Sequence, residues 1–256
     1  MLEKKHRAFN PIIIIPARLG SSRLPKKPLI DICGKPMIVH VWEKAVESGI
    51  GPVLVATDNT EILNKIVENG GKAVLTEISH SSGSDRVFEA VERFDENKKY
   101  DLVVNLQGDM PLINPKIIKN LVKSVQSEEI TSLVSLAKLD DIKEESNVKV
   151  AISWDKEKNT LKLSSGKALF FSRLPIPHNA KNYWHHIGVY AWKRDALFKF
   201  VQSPQSDLEI SENLEQLRAL EIGMSIRVIK TDFPTVGVDT FRDLEKVRSM
   251  ISKQNI

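Results

Sequence analysis

Short apolar segments alternate with segments of helical periodicity over about the first 140 residues of the chain. The four isoleucines at 12–15 are β-branched and uninterrupted, which is typical of a strand buried on both faces of a parallel sheet. Further apolar runs at 52–57, 73–75 and 102–106 predict strands of the same kind. Because helical patterns separate these runs, we expect an α/β fold with a doubly wound, mostly parallel sheet.

The helical segments carry apolar residues three or four positions apart and have plausible ends. Pro36 can open the first helix, and Gly49 can end it. Either Asp58 or Asn59 can cap the second helix. Two more helices are predicted around 87–94 and 117–125, so the strand–helix alternation continues to the fourth strand and beyond.

The pattern changes near residue 140. Segments 149–153 and 161–164 flank the polar turn 155–159 and predict an antiparallel hairpin, and 186–192 predicts another strand. One helical stripe follows, formed by Ile210, Leu214, Leu217 and Leu220. A strand at 226–229 then precedes a final helix, so the first pattern resumes.

We therefore expect a single α/β domain with an inserted region. The α/β core would comprise about 10–140 and 225–252, and the antiparallel insertion about 141–224. The insertion can complete a substrate site or form a dimer surface. The pattern does not distinguish these two uses.

Composition excludes several classes of protein. The 256 residues include 37 basic and 33 acidic side chains, a net charge of +4, and no long run of one sign that would suit nucleic acid. Cys33 is the single cysteine, so no internal disulfide can form, and no Cys/His cluster has zinc spacing. Four isoleucines near the start are too few for a signal peptide or a membrane span. We expect a cytoplasmic protein without nucleic-acid or membrane partners.

A basic loop follows the first strand. Arg18, Arg23 and Lys27 are interspersed there with Gly20, Ser21 and Ser22. Ligands of open α/β sheets bind beyond the carboxyl ends of the strands, and small residues let the backbone approach phosphates closely. The loop is thus predicted to hold a nucleoside triphosphate. The alternative is an ordinary solvated basic loop.

Other phosphate-binding and hydrolytic motifs are missing. The chain has no G-x-x-x-x-G-K-S/T, so the basic loop is not a Walker loop. Gly49 and Gly51 form a G-x-G, but it precedes a strand and lacks the third glycine of a dinucleotide site. No H-E-x-x-H or G-x-S-x-G occurs, which removes metalloprotease and α/β-hydrolase interpretations.

Two aspartates follow predicted strands and are candidate magnesium ligands. Asp109 comes after the strand at 102–106, and Asp239 precedes the last helix. Magnesium usually takes one or two carboxylates together with phosphates and water. Gly108 would let the chain approach a ligand closely. For Asp239 alone, a helix cap is the competing interpretation.

The order of motifs resembles the 3-deoxy-manno-octulosonate (KDO) cytidylyltransferases, or CMP-KDO synthetases. The motifs are P-A-R-L-G-S-S-R-L-P-K-K-P-L at 16–29, S-G-S-D-R at 82–86, Q-G-D-M-P at 107–111, F-S-R-L-P-I-P at 171–177, H-I-G-V-Y at 186–190, L-E-Q-L-R at 214–218 and G-V-D-T at 237–240. The resemblance implies transfer of CMP from CTP to the anomeric hydroxyl of KDO. The product CMP-KDO serves lipopolysaccharide synthesis, and the enzyme would be a magnesium-dependent, cytoplasmic homodimer.

Residue roles follow from the resemblance, position by position. Those implied for CTP are Arg18, Ser21, Lys27, Ser84, Arg86 and Gln107. Those implied for KDO are Arg173, His186, Tyr190, Glu215 and Gln216. Asp109 and Asp239 would hold Mg²⁺ and, with Arg18 and Lys27, form the catalytic set. Taken singly, each KDO candidate has an ordinary structural alternative, as a core residue or a solvated side chain.

Two positions depart from the family pattern. Lys26 stands where a glycine usually precedes the loop lysine, and Met110 stands where a glutamate usually follows the motif aspartate. The departures keep a non-catalytic nucleotide-binding protein as an alternative. A cytidylyltransferase for another sugar acid, such as sialic acid, is the nearest enzymatic alternative.

Overall fold

A computed structural model describes residues 9–20, 23–80, 82–156, 163–233 and 235–254. Strands within these ranges are β1 Pro11–Ala17, β2 Asp31–Ile32, β3 Lys35–Pro36, β4 Val53–Thr57, β5 Lys72–Leu75, β6 Leu102–Asn105, β7 Ile130–Leu136, β8 Lys149–Trp154, β9 Ser165–Ser172, β10 Trp184–Lys193 and β11 Ile226–Lys230. The α-helices are α1 Met37–Glu47, α2 Thr60–Glu68, α3 Gly83–Phe94, α4 Pro115–Lys123, α5 Arg194–Val201, α6 Asp207–Glu212, α7 Gln216–Glu221 and α8 Phe241–Gln254. None of these described helices is both long and apolar enough to cross a membrane.

The chain forms two compact units. The parallel-sheet unit comprises Ile12–Glu96, Val104–Asn120 and Asp232–Ile256. The mixed-sheet unit comprises Met1–Pro11, Asn97–Val103 and Leu121–Thr231. These limits differ from the predicted core and insertion, and the single-domain organisation stays a prediction.

The strands predicted from the first apolar runs are β1, β4, β5 and β6; the parallel-sheet unit contains β4, β5, nearly all of β1 and the second half of β6. Their order is β5-β4-β1-β6, and β4 pairs in parallel with both β1 and β5. The four isoleucines of β1 are completely buried, as expected of a strand covered on both faces. The predicted α/β class with a sheet is confirmed.

A buried cluster in this unit joins the basic loop to the last helix. Its members are Leu24, Ile32, Met37, Val238, Leu244, Val247 and Ile251. Burying these side chains together stabilises a contact between two parts of the chain that lie far apart in sequence. The cluster therefore holds residues near 27 beside residues near 239.

The mixed-sheet unit has the strand order β10-β7-β11-β9-β8. β7 and β11 are parallel, and the other neighbours are antiparallel. β8 also pairs with β10, at Lys149 and His185. The five strands thus close on themselves near that pair.

Two strands of this unit differ from the sequence prediction. β7 was not predicted, because Thr131 and Ser132 interrupt its apolar pattern although both are fully buried. The second hairpin strand begins at Ser165, later than the predicted 161–164; residues 161–162 lie outside the described ranges. Ser165 donates to Asp155, and Gly166 lies so close to the Ser153 carbonyl that a Cβ would be 2.5 Å away. Neither position carries the apolar side chain on which the prediction relied.

The prediction of a single helical stripe at 210–220 was wrong, because two helices, α6 and α7, lie there. Asn213 adopts a left-handed conformation with φ 52° and ends α6, and α7 begins three residues later. Asparagine tolerates this conformation better than most residues. Ile210 is consequently exposed, whereas Leu214 and Leu217 are buried.

Candidate active site

Three charged side chains of the parallel-sheet unit meet at one point. The ammonium of Lys27 donates hydrogen bonds to Asp109 Oδ2 at 2.7 Å and to Asp239 Oδ1 at 2.9 Å. The Lys27 side chain is 17% exposed, against 29% for Asp109 and 45% for Asp239. Solvent and ligands therefore reach the carboxylates more easily than the ammonium. Three of the four residues predicted to be catalytic are brought together.

Main-chain contacts hold these three residues in place. Lys27 begins a short 3-10 helix, Lys27–Leu29, whose proline has a preset φ. Asp109 lies in the turn after β6, and its carbonyl accepts a hydrogen bond of 2.9 Å from the Val238 N–H. This bond lies one residue from Asp239, so the two aspartates are fixed relative to each other.

The competing interpretation of Asp239 as a helix cap does not hold. Thr240 caps α8 instead, because its hydroxyl accepts from the Asp243 N–H at 3.2 Å. In return, Asp243 Oδ2 accepts from the Thr240 N–H at 2.9 Å. This reciprocal pair satisfies the helix terminus. The Asp239 carboxylate is thus available to Lys27.

Gly108 is required by close packing inside the unit. A Cβ at this position would lie 2.9 Å from the Pro16 carbonyl oxygen at the end of β1. Gly108 was predicted to let a ligand approach the chain closely. The structure shows instead that it lets the turn before Asp109 pack against the neighbouring strand.

The electrostatic environment keeps Lys27 charged. Burial lowers the pKa of Lys27, but the charges of Asp109 and Asp239 and their hydrogen bonds outweigh burial and raise the pKa above its ordinary value of 10.5. At neutral pH the site consists of one ammonium between two carboxylates.

The same two carboxylates fit a magnesium ion. Both reach one cation, the Lys27 ammonium, at hydrogen-bonding distance. The described ranges contain no group of three or more His, Cys, Asp or Glu side chains that could enclose a metal. Magnesium bound by two carboxylates would keep its remaining positions for phosphate oxygens and water. The donor set therefore suits a metal that is shared with a nucleotide.

The other predicted cations of the basic loop are more exposed. Arg18 lies at the surface after β1. Arg23 Nη2 is 3.2 Å from Asp239 Oδ1, but its side chain is 60% exposed, so the ion pair adds little stability. Ser21, a predicted CTP contact, lies outside the described residues.

Arg86, another predicted CTP contact, is buried in the same unit. Its guanidinium donates to Thr76 Oγ1 at 2.5 Å and to Asp58 Oδ2 at 3.0 Å. Asp58 was considered only as a helix cap, but Asn59 caps α2 and leaves the Asp58 carboxylate to Arg86. Sequence reasoning missed this ion pair, because no local spacing connects β4 to α3. Ser84 is buried in the first turn of α3, and Gln107 is half-buried after β6.

Four of the residues predicted to bind KDO lie together in the mixed-sheet unit. The His186 and Tyr190 rings of β10 have centroids 5.5 Å apart. Gln216 Nε2 is 3.4 Å from His186 Nδ1. Burial raises the pKa of Tyr190, and the nearby charge of Glu215 raises it further. Two residues of β10, the first residue of α7 and the residue before it thus form one polar group.

The hydrogen bonds and the burial of His186 bear on which ring nitrogen carries a proton and on the charge of the ring. Ser132 Oγ lies 2.9 Å from His186 Nε2 and donates its hydrogen to the Val189 carbonyl at 2.9 Å. With the Ser132 hydrogen directed to Val189, the serine oxygen accepts from His186 Nε2–H, and Nδ1 is left as the acceptor for Gln216. Burial lowers the pKa of His186 to about 3, with a smaller contribution from His185. His186 is neutral at physiological pH.

The fifth predicted KDO residue, Arg173, is held by main-chain carbonyls. Its guanidinium donates to Glu212 at 2.8 Å, Glu145 at 3.0 Å and Asn213 at 3.1 Å. Each terminal nitrogen carries a second N–H. The side chain is therefore oriented by the protein and keeps donors for an anion.

Two residues around Arg173 were not predicted. Glu212 accepts from Ser172 Oγ at 2.8 Å and from the Arg173 N–H at 3.0 Å. Lys149 is completely buried, and its ammonium donates to the carbonyls of Glu144 and Asn147 at 2.9 and 2.6 Å. Burial and the charge of Arg173 lower the pKa of Lys149. A lysine at the start of a strand gives no sequence signal of such burial.

Comparison with known proteins places the chain in a family. A family model described as cytidylyltransferase matches residues 12–226. The 3-deoxy-manno-octulosonate cytidylyltransferase of Paramagnetospirillum magneticum is 43% identical over 246 residues, which cover 95% of this chain and 98% of the relative. The enzyme of that name from Rhodospirillum rubrum is 46% identical over 247 residues, covering 95% and 96%. The chain belongs to the 3-deoxy-manno-octulosonate cytidylyltransferase family.

A solved structure supports the same assignment. CMP:2-keto-3-deoxy-manno-octonic acid synthetase complexed with CTP superposes with a TM-score of 0.84 at 38% identity, over 96% of this chain and 99% of that one. The family resemblance found in the motifs is confirmed. The individual residue roles stay predictions.

The structure explains how the chain accommodates Lys26 in place of the usual glycine of this cytidylyltransferase family. Lys26 has φ 54° and ψ 32°, a left-handed conformation that glycine adopts without steric penalty. Its ammonium lies 3.2 Å from Glu61 Oε2 at the surface. The loop therefore keeps the glycine-type backbone, at the expense of local strain.

The second departure, Met110, removes a carboxylate and adds apolar packing. Met110 is buried, and its carbonyl accepts from the Ile113 N–H at 3.1 Å. The turn that carries Asp109 is thus stabilised without the glutamate of the cytidylyltransferase pattern.

Replacing Lys26 by glycine is expected to raise the free energy of unfolding by roughly 0.5–1 kcal/mol, because the left-handed strain of an L-residue is removed. Urea unfolding followed by circular dichroism measures the change. Lys26→Ala is the matched control, since it also loses the Glu61 contact but keeps the strain, and it should not gain stability. A glycine variant less stable than the original chain would contradict the expectation.

Proposed function

We propose that this protein is a cytidylyltransferase that joins CMP from CTP to the anomeric hydroxyl of KDO and releases pyrophosphate. The observation that carries the proposal is the convergence of Lys27, Asp109 and Asp239 at one point. This arrangement can receive a triphosphate and a divalent cation. It occurs in a chain that resembles KDO cytidylyltransferases over nearly its full length.

In the proposed reaction, the anomeric oxygen of KDO attacks the α-phosphorus of CTP. The bond from the α-phosphorus to the bridging oxygen breaks, pyrophosphate leaves, and the hydroxyl proton passes to solvent. Lys27 and Arg18 neutralise the leaving group, and Asp109 and Asp239 would hold Mg²⁺. When bound, the ion neutralises phosphate charge and makes the attacking hydroxyl more acidic. Ser21, Ser84, Arg86 and Gln107 are proposed to contact or orient CTP.

The polar group of the mixed-sheet unit is proposed to bind the sugar acid. Arg173 suits the carboxylate of KDO, because its oriented guanidinium keeps free N–H donors. Neutral His186, Tyr190, Glu215 and Gln216 offer donors and acceptors for the hydroxyl groups. The neutral histidine adds no charge beside the acceptor.

The proposal extends to assembly and cellular role. A cytoplasmic homodimer that supplies activated KDO for lipopolysaccharide synthesis is consistent with the family resemblance. Several large apolar side chains of the mixed-sheet unit are exposed, among them Leu139, Leu169 and Leu174. Light scattering of the purified protein would measure its mass in solution.

Turnover of CTP and KDO tests the proposal directly. Pyrophosphate release is measured with both substrates, with and without Mg²⁺, and with sialic acid in place of KDO. We expect release that requires KDO and Mg²⁺. Release with sialic acid but not with KDO would assign another acceptor, and CTP binding in calorimetry without any release would contradict the enzymatic proposal.

Replacing Arg173 by alanine is expected to raise the KM for KDO by roughly 10- to 100-fold, because a charge-assisted hydrogen bond to the sugar carboxylate is lost. The KM for CTP should change much less. Arg173→Lys keeps the charge without the forked geometry. Its KM for KDO should lie between that of the original chain and that of Arg173→Ala. Equal effects on both KM values would show that Arg173 acts only through the main-chain contacts described above.

A further inference from the structure

We propose that Lys27 occupies the cation position between Asp109 and Asp239 in the free protein, so that Mg²⁺ binds there only when CTP draws the lysine away. The inference rests on the proposed function, since CTP is the triphosphate invoked. It adds an order of binding: the site is closed to the metal until the nucleotide arrives.

The contacts satisfy both carboxylates with the protein's own cations. Lys27 lies between Asp109 and Asp239 at 2.7 and 2.9 Å. Arg23 approaches the same oxygen of Asp239 at 3.2 Å. Two positive side chains therefore balance two negative ones. A divalent ion entering this group would meet a balanced charge and a nearby ammonium that repels it.

Lys27 can leave without a change in the fold. Its main chain is anchored, since the Leu29 N–H donates to the Lys26 carbonyl at 2.8 Å and the Ile30 N–H to the Lys27 carbonyl at 3.3 Å. The four-carbon side chain, in contrast, has several rotatable bonds and ends in a compact charge without a fixed bonding geometry, so it can exchange one anion for another. A triphosphate offers the ammonium several phosphate oxygens in place of two carboxylates.

The exchange also explains why a lysine serves here better than an arginine. A guanidinium would bind the carboxylates through a rigid fork and resist displacement, whereas an ammonium has no fixed geometry. Once Lys27 moves to the phosphates, Asp109 and Asp239 are left facing each other without the ammonium. Their mutual repulsion then favours the arrival of a divalent cation.

Binding of Mn²⁺ to the free protein tests this inference without catalysis. Mn²⁺ prefers the same oxygen ligands as Mg²⁺, and its electron paramagnetic resonance signal falls when it binds. Without nucleotide, Lys27→Met is expected to bind Mn²⁺ at least about ten-fold more tightly than the original chain, because removing a close ammonium is worth about 1.4 kcal/mol or more. Lys27→Gln, which is also uncharged, should behave in the same way and guards against a folding defect in one variant.

Matched variants separate the site from general charge effects. Lys35→Met removes another lysine that is paired with a carboxylate, Glu43, away from the site, and should leave Mn²⁺ affinity within about two-fold. The double variant Lys27→Met with Asp109→Asn should lose the increase in Mn²⁺ affinity that is expected for Lys27→Met alone. If both uncharged Lys27 variants fold, as judged by circular dichroism, and bind Mn²⁺ no more tightly than the original chain, the inference is wrong.

This result is independent of the proposed reaction. Turnover by the original chain together with unchanged Mn²⁺ affinity in the variants would retain the cytidylyltransferase function and reject the role of Lys27. Tighter Mn²⁺ binding in the variants without any turnover by the original chain would support the role of Lys27 and reject the cytidylyltransferase function.

Discussion

Replacing Asp109 by alanine is expected to lower the rate of pyrophosphate release from CTP and KDO on the order of a thousand-fold or more. The variant loses one of the two carboxylates that converge on Lys27 and that we propose as magnesium ligands. Since Asp239 would be left as the single proposed protein ligand, higher Mg²⁺ concentrations should restore only part of the activity. Steady-state assays over a range of Mg²⁺ concentrations measure the effect.

The fold should survive this change, which makes the assay interpretable. Asp109 is partly exposed, and Lys27 keeps Asp239 as a partner at 2.9 Å. Circular dichroism should therefore be unchanged. Glu43→Ala, which removes a carboxylate paired with Lys35 outside the site, serves as the control and should retain activity. Near-normal turnover by the Asp109 variant would reject the metal assignment.

Replacing Arg218 by methionine is expected to lower the free energy of unfolding by about 3–5 kcal/mol. Arg218 donates from Nε and Nη2 to the two oxygens of Glu209, both at 2.7 Å, and both side chains are only 4% exposed. Its guanidinium also lies 4.3 Å from the centre of the Phe200 ring. Removal of the arginine leaves a buried carboxylate without its countercharge, which costs more than the lost hydrogen bonds alone.

Denaturant unfolding measures this loss, and two further variants show its cause. In the double variant Arg218→Met with Glu209→Gln, no buried charge is left unpaired, so the combined loss should be smaller than the sum of the single losses. Lys65→Met removes a solvent-exposed ion pair with Glu68 and should leave the denaturation midpoint close to that of the original chain. Additive losses for the buried pair would contradict an unpaired charge as the cause.

This ion pair also concerns the proposed KDO site. Glu209 belongs to the capping box of α6, and Arg218 belongs to α7, directly after Gln216 and Leu217. The pair therefore fixes the helix that begins at Gln216, directly after Glu215. One continuous helical stripe was predicted for this region, because the apolar spacing persists across Asn213 and gives no sign that one helix ends there and another begins.

Much of the site was accessible to sequence analysis because its residues lie in local motifs. The basic loop after β1 and the aspartate after β6 both occupy strand ends, where ligands of α/β sheets bind. The residues that contact and orient other predicted site residues were harder to predict from the sequence. Asp58 and Thr76 reach Arg86 from the ends of two other segments, and Lys149 gives no local sign that its charge is buried.

The sequence by itself determined the α/β class, the positions of most strands and the family. Uninterrupted apolar runs report burial on both faces, and the order of motifs is specific. Only the tertiary structure decided that Lys27 lies between Asp109 and Asp239, that Thr240 rather than Asp239 caps α8, and that Lys26 keeps the glycine-type backbone. These features depend on contacts between distant segments and on backbone angles. The spacing of residue types along the chain predicts neither these contacts nor these angles.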